Sequence, residues 1–475
     1  PGTESSAFRP VVRRANLRLR DPSDSLYQST LFYRLLYTMR SMLLLLMLLI
    51  SLDASVRAQP LEISHGPVLD ARAFGAAPSD DRLDTSALQA ALDAAHARGG
   101  GTVVLSAGTF DSGTLRLRSH VRLHIGPGAT LRGSADLADY DPDHPHLLYG
   151  ADVENVALTG TGRLDGQGPS FWREVDGDDD LVAGQDERPW RFVRFERSRD
   201  VLVRDLTFED SPSHTLYFYR SRGVRIEGIT ITGGYDNRSF LGGGGIGSGI
   251  QCRASGTGTE CSPTLSALVV AHNRVDGGLG GGGMAIDVSR GGTGNPVLES
   301  CLFVHNAAQP SLLGGGGLMV LLSDGGVAAR PVIEGCTFAH NSTTKDGGGL
   351  YAGTSGAVEP QISNTIFWGN TAGRGPSIHN DQGPTPTIAH AVVQGSGGSD
   401  AWNSDLGIDG GGNLDVDPQF VAEDTPAGPD GVLGTPDDGL ALGAGSPAVD
   451  TGANGSVQRT LDLVYASRIQ NGNGN

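Results

Sequence analysis

Short runs of alternating apolar and polar residues return along this chain, and the returns end in matched residues. Four of them are Leu268–Asn273, Cys301–Asn306, Cys336–Asn341 and Thr365–Asn370. Aligned on the final Asn, the third residue before it reads Val270, Phe303, Phe338 and Phe367, and the Asn positions advance by 33, 35 and 29. Period-2 alternation with β-branched residues predicts strands, and a return of this length makes each copy one unit stacked on the next. Stacking in register at about 4.8 Å puts the Phe side chains in one ladder and the Asn side chains in another. The Asn is expected at a bend, in the αL conformation that it tolerates. Gly-rich runs fall in step at 242–245, 280–283, 314–317 and 347–349, each followed by one apolar residue (Ile246, Met284, Leu318, Leu350). Such runs suit tight bends that need positive φ.

The front half has the same alternation in Val121–Ile125, Val156–Leu164, Val201–Phe208 and Val224–Ile231. From Val201 to Val224 is 23 residues, enough for three short strands and three bends. Ahead of them, Asp84-Thr85-Ser86 can cap a helix through Ala87, Leu88, Ala91, Leu92 and Ala95. That helix would cover the open end of the stack and its unpaired strand edges. The predicted fold is all-β: a right-handed parallel β-helix with an N-terminal capping α-helix.

Charge narrows the partners. Lys+Arg number 35 against Asp+Glu 53, a balance of −18 that argues against nucleic acid. Lys345 is the only lysine, so nearly all the positive charge is arginine. Met39 is the first methionine; Arg40, the apolar stretch Leu43–Leu52 and Val56-Arg57-Ala58 then read as a signal peptide with a small-residue cleavage site. The stretch is too short to span a bilayer, so no transmembrane segment beyond it is expected. The expectation is an exported protein, secreted or cell-surface, from a bacterial source, and a monomer. Residues 1–38 read as an extension outside the natural protein, and the mature chain as starting near Gln59.

Four cysteines fit an exported protein. Cys252 and Cys261 flank a polar loop and are candidates for a disulfide. Cys301 and Cys336 share a repeat position, so stacking brings them to about one rung, inside the disulfide Cα range of about 4.4–6.8 Å. A pair of buried free thiols in a ladder fits equally well.

Asp70–Ala76, Gly99–Leu105, Ala107–Phe110 and Ser112–Ser119, then Glu154–Gly168 with Phe171-Trp172, Arg188-Pro189 and Val201–Pro212, resemble in that order the polygalacturonases of glycoside hydrolase family 28. The resemblance covers residues 68–232. It implies a pectin-lyase-type β-helix, a pectic polysaccharide substrate and O-glycosyl hydrolysis by paired Asp residues. Beyond Ile231 the chain departs from that pattern. It reads Thr-Gly-Gly-Tyr-Asp236-Asn237, without the family's Asn-Thr-Asp, Gly-Asp-Asp, Gly-His-Gly or Arg-x-Lys motifs. Residues 269–475 resemble bacterial surface β-helix repeat proteins, and Leu414–Phe420, Gly434–Leu440 and Gly445–Asp450 resemble their choice-of-anchor Q region. The implied parts are a signal peptide at 39–58, a polygalacturonase-like part at 59–235, Gly-rich repeats at 236–390 and a C-terminal capping region at 391–475.

An inverting glycosidase needs two carboxyls about 6.5–9.5 Å apart. Asp205, Asp210, Asp236 and Asp287 are the candidates if they share a face, with His214 placed to orient a substrate hydroxyl; the alternative is solvated or turn Asp. Arg191 and Arg194, in a run of arginines from 188 to 204, are candidates for holding a polyanion such as galacturonan, against ordinary pairing with interleaved acids. His272, His305 and His340 recur before three of the ladder Asn residues, as a stack able to bind a transition metal or as a repeated structural residue. No cofactor is required. Asp430, Asp437 and Asp438, like the loop 176–180, have the oxygen density that Ca²⁺ prefers, or are plain exposed acids. Two functions follow: a secreted protein of polygalacturonase type hydrolysing or binding acidic polysaccharide, or a non-catalytic β-helix adhesin.

Overall fold

The computed structural model describes residues 66–466, apart from 81, 173, 176–177, 182–186, 238–245, 311, 354–356, 382–385, 458 and 460. The extension at 1–38, the signal peptide at 39–58, the Gly run at 242–245 and Asp176 lie outside the described residues.

Three long parallel sheets form the body, right-handed in their winding. The first runs from Val68–Asp70 through Arg199–Arg204 and Val297–Glu299 to Ile408–Asp409. The second runs from Gly108–Ser112 through Thr207–Glu209 to Val392–Val393, and the third from Leu115–Arg116 through His214–Tyr219 to Ile378–Asp381. Each coil gives one strand to each sheet in turn. Alternation decides what is inside: Val201 and Val203, Phe208, and Leu216 and Phe218 point inward and are fully buried.

The expected ladders are present. Phe303, Phe338 and Phe367 stack with centroids 4.7 and 4.8 Å apart and rings within 5° of parallel, which is the strand spacing itself. Asn273, Asn306, Asn341 and Asn370 form the second ladder, each side-chain amide donating to the Oδ1 of the next at 3.0, 2.9 and 3.1 Å. The bend is placed differently from the expectation. The left-handed residue is the one before the Asn: His272, His305 and His340 have φ of 53, 53 and 54°, and Gly369 has 64°. The Asn must turn its amide into the core to bond both neighbours, so the residue ahead of it takes the corner, where His is tolerated.

Glycine is required where coils touch backbone to backbone. A Cβ on Gly317 would stand 2.7 Å from the Gly349 carbonyl oxygen and 3.0 Å from a ring carbon of Phe338. The capping helix spans Thr85–Ala97 and buries Leu88, Ala91, Leu92 and Ala95 in the main core. Asp84 does not cap it through its side chain; its carboxylate accepts from the Ala77 amide at 2.7 Å instead.

Within the C-terminal region, Leu406 is buried in the main core and Trp402 packs against it. The solenoid itself continues to Ile408–Asp409, and the tail packs along the outer flank of the second sheet. Leu433, Leu440 and Leu463 lie on Val269, Ala271, Leu302 and Val304. Asn364 exchanges two hydrogen bonds with the backbone of Ala453, at 2.7 and 3.1 Å.

Cys252 and Cys261 form a disulfide with a Cα separation of 5.8 Å. Cys301 and Cys336 are buried free thiols. Residues stacked in register carry their side chains in parallel, so the sulfurs stay a rung apart rather than meeting at the ~2.05 Å of a bond. Each thiol instead lies against backbone carbonyls, Leu265 and Glu299 for Cys301, Leu298 and Glu334 for Cys336.

Candidate functional site

The outer face of the third sheet gathers most of the singled-out residues. Strand register sets Tyr149, Arg194, Tyr217 and Gln251 in one outward row, and Ala151, Glu196, Tyr219, Arg253 and Asp287 in the next. Arg191 stands in register with His214 in a third row. The cations lie on aromatic faces: Arg191 is 4.5 Å from the Trp190 centroid and 4.1 Å from that of Tyr217. Arg194 lies between Tyr149 and Tyr217, at 5.8 and 5.6 Å. His144 stacks on Tyr149 at 4.4 Å. Such contacts hold guanidinium groups flat and desolvated on one side.

Charge on this face is matched. Arg194 pairs with Glu196. Arg253 Nε lies 3.0 Å from Asp287 Oδ2, and Asp287 is 4% exposed. Burial pushes the Asp287 carboxyl up, Asp324 adds to this, and Arg253 opposes it. Burial holds His146 well below the ordinary imidazole range, and the charges of Arg194 and Arg191 push it further, so the ring is neutral at pH 7.

Asp236 and His214 are brought together beside this face, in a cluster closed from solvent. Arg188 and Asp236 are both fully buried, with Arg188 Nη2 3.3 Å from Asp236 Oδ1 and also donating to Asn237. Ser213 donates to Asp236 Oδ1 at 3.3 Å. His214 Nε2 donates to the Ile246 carbonyl at 2.7 Å, with Asp236 Oδ2 at 3.7 Å. The role of Arg188 in this cluster was not legible from its place in the arginine run; only the 48-residue reach over two coils reveals it.

The candidate carboxylates do not converge. Asp236 sits with His214 at the start of the third-sheet strand, whereas Asp287 stacks through Arg253 beneath Tyr219 at the other end. Five residues of strand separate those ends, about 16 Å, beyond the inverting window of about 6.5–9.5 Å. Asp210 is elsewhere again, an exposed left-handed corner residue with φ 49° in the column that continues into Gly233 and His272. Burial and then Asp165 raise its pKa. Asp205 is the matching corner residue between the first and second sheets, with φ 61°.

The histidine set forms a stack, His272–His305 and His305–His340 each at 5.2 Å, and its corner geometry accounts for the recurrence. In the tail, Asp437 and Asp438 turn onto their own loop. Asp438 accepts from the Gly434 amide at 2.7 Å, Asp437 from the Asp430 amide at 3.3 Å and the Thr435 hydroxyl at 2.7 Å. Among the described residues no three His, Cys, Asp or Glu side chains converge as metal ligands.

Fold and face together define a right-handed parallel β-helix with a basic, aromatic outer sheet. Residues 100–239 match glycosyl hydrolases family 28, and residues 192–409 match the right handed beta helix region. The front of the chain is thus similar to polygalacturonases. A probable polygalacturonase of Vitis vinifera is 28% identical over 178 residues, 33% of this chain and 35% of that protein. The mannuronan C5-epimerase AlgE1 of Azotobacter vinelandii is 35% identical over 145 residues, 28% of this chain and 10% of that protein. The polygalacturonase structure from Erwinia carotovora has a TM-score of 0.43 at 16% identity, covering 70% of this chain and 87% of that one. The chain spans about a third of the length of the polygalacturonases it matches.

Proposed function

We propose that this protein is an exported or cell-surface β-helix that binds an acidic polysaccharide of the pectic class along the outer face of the third sheet. The observation that carries the reading is the in-register row Tyr149–Arg194–Tyr217, extended by Arg191 between Trp190 and Tyr217. Trp190, Arg194 and Tyr219 are the partly open groups on this face, and an aromatic face beside a guanidinium suits a sugar ring that carries a carboxylate, with Tyr149, Arg191 and Tyr217 buried as their support. The relatives named for polygalacturonate and mannuronan support an acidic glycan. Binding without hydrolysis is favoured because Glu196 and Asp287 are each matched to an arginine, and Asp236 and Asp287 stand too far apart to share a water.

The test is calorimetric titration of the full chain with polygalacturonate oligomers, beside reducing-sugar release. The expected result is saturable binding with no release, weakened about tenfold in Arg194→Gln, which is about 1.4 kcal/mol. Equal binding by wild type and Arg194→Gln would remove this face from the reading. Sugar release abolished by Asp287→Asn would replace it with hydrolysis.

A further inference from the structure

Where the third sheet turns into the first, successive coils carry non-glycine residues in the left-handed region: Asp152, Arg197 and Arg220, with φ of 54, 48 and 52°. Glu196 is in register with Tyr219, and Arg199 with Arg222. Arg197 therefore lies over Arg220, and Arg199 over Arg222, each pair about 4.8 Å apart along the stack. Like charges directly opposite on paired strands are destabilising. The earlier coil answers its own two. Arg197 forks onto Asp152 at 2.8 and 2.7 Å and also meets Glu196, and Arg199 pairs with Glu154.

The later coil has no such answer. Among the described residues Arg220 and Arg222 pair with no carboxylate, and Arg220 Nε is buried with no hydrogen-bond partner. The Arg220 guanidinium rests 4.8 Å from the Tyr219 ring centroid. All four arginines open on one depression of about 530 Å³, completed by Ser198, Gly258 and Thr259, and no acidic side chain lines it. In a chain of net charge −18, four guanidinium groups around an acid-free hollow are a built feature.

We propose that this corner is a binding site for a tetrahedral oxyanion, a sulfate or phosphate group, either free or as an ester on a glycan. Donors arrive from two rungs, above and below, which suits a group whose oxygens point in several directions. A planar carboxylate is satisfied by one fork, as Asp152 already shows on Arg197. The site is separate from the Tyr149–Arg194–Tyr217 row and stands whether or not that row binds uronate.

The experiment is a thermal-melt and calorimetric titration of the full chain with sodium sulfate, sodium phosphate and a monosaccharide sulfate ester, at ionic strength held constant with sodium chloride. A saturable rise is expected in wild type and in Arg194→Gln. It should weaken at least tenfold in Arg222→Gln, whose exposed side chain can be exchanged without opening the core. Sulfate also stabilises proteins generally by exclusion from their surface. A rise that never saturates, or one equal in wild type and Arg222→Gln, overturns the site. A response to the ester alone assigns it to a modified glycan, and a response to all three to the oxyanion itself.

Discussion

Replacing Asn306 by alanine tests whether the side-chain ladder, rather than the backbone sheets alone, holds the coils in register. Its amide donates to the Val270 carbonyl at 2.8 Å and to Asn341 Oδ1 at 2.9 Å. Its Oδ1 accepts from the Asn273 backbone amide at 3.1 Å and from the Asn273 side chain at 3.0 Å. Four hydrogen bonds vanish in a site that is 0% exposed. At about 0.5–1.5 kcal/mol net for each, the loss is about 2–6 kcal/mol, and it sits toward the upper end because the partners are left buried and unmet. Asn306→Asp sharpens the test. It keeps both acceptances but points an oxygen at Val270 O and Asn341 Oδ1, so it should cost at least as much as alanine despite its matching shape. The assay is urea unfolding followed by far-UV circular dichroism, with slopes compared so that a change in midpoint reports stability. An alanine cost below about 1 kcal/mol, or an aspartate cost well below the alanine cost, would refute the ladder as a stabilising element.

Four further outcomes are expected. Gly317→Ala should destabilise by about 1–3 kcal/mol in the same urea assay, because its Cβ meets the backbone oxygen of Gly349 and cannot move aside. Asp236→Asn should cost about 3 kcal/mol by leaving the Arg188 charge buried, so activity lost in that variant counts only if its melting curve is corrected for; an unchanged melt would refute the pairing. A thiol reagent should find no reactive thiol in the native protein and two after unfolding without reductant, since Cys301 and Cys336 are buried and Cys252–Cys261 is bonded. Burial holds His124, His146, His272, His305 and His379 below their ordinary 6.5, so the unfolded chain binds more protons as pH falls. That stability is present above pH 6.5 and lost below it, and the melting temperature should fall between pH 7.5 and 5.5; a flat profile would contradict the shifts.

The ladders could be read from the sequence because each rung repeats its residues at nearly constant spacing, and a parallel stack turns constant spacing into contact. The corner histidines were visible as a set but not as a cause, since which of two adjacent residues takes positive φ depends on which side chain the core needs. Tyr149, Arg194 and Tyr217 form one row yet lie 45 and 23 residues apart. Between the first two, the stretch 166–190 separates a second-sheet strand from the next third-sheet strand, and its length hides the register. The path of the tail along the flank was hidden for a related reason. Leu433, Leu440 and Leu463 have no period, so nothing local says that they face a flank rather than an end.

The same geometry explains how such a chain can resemble a hydrolase and yet hold Asp236 and Asp287 apart. Inward positions are fixed by the stack: Val193, Leu216, Ile250 and Met284 must succeed one another or the core opens. Outward positions on the same strands carry Arg194, Tyr217, Gln251 and Ala285, four chemistries on one row, because they pack against covering side chains and loops rather than into the narrow interior of the stack. In a solenoid each coil answers only to its neighbours, so a site spread over several rungs can change rung by rung while the fold persists. The separation of Asp236 from Asp287 by a strand's length is then a property of the outer face alone. An outward substitution on this row, such as Gln251→Asp, tests how freely the row can change. Gln251 is 1% exposed, so the new carboxylate is desolvated and the change should cost about 3 kcal/mol in urea unfolding. A loss below about 0.5 kcal/mol would show that water reaches this row and that its rungs change independently.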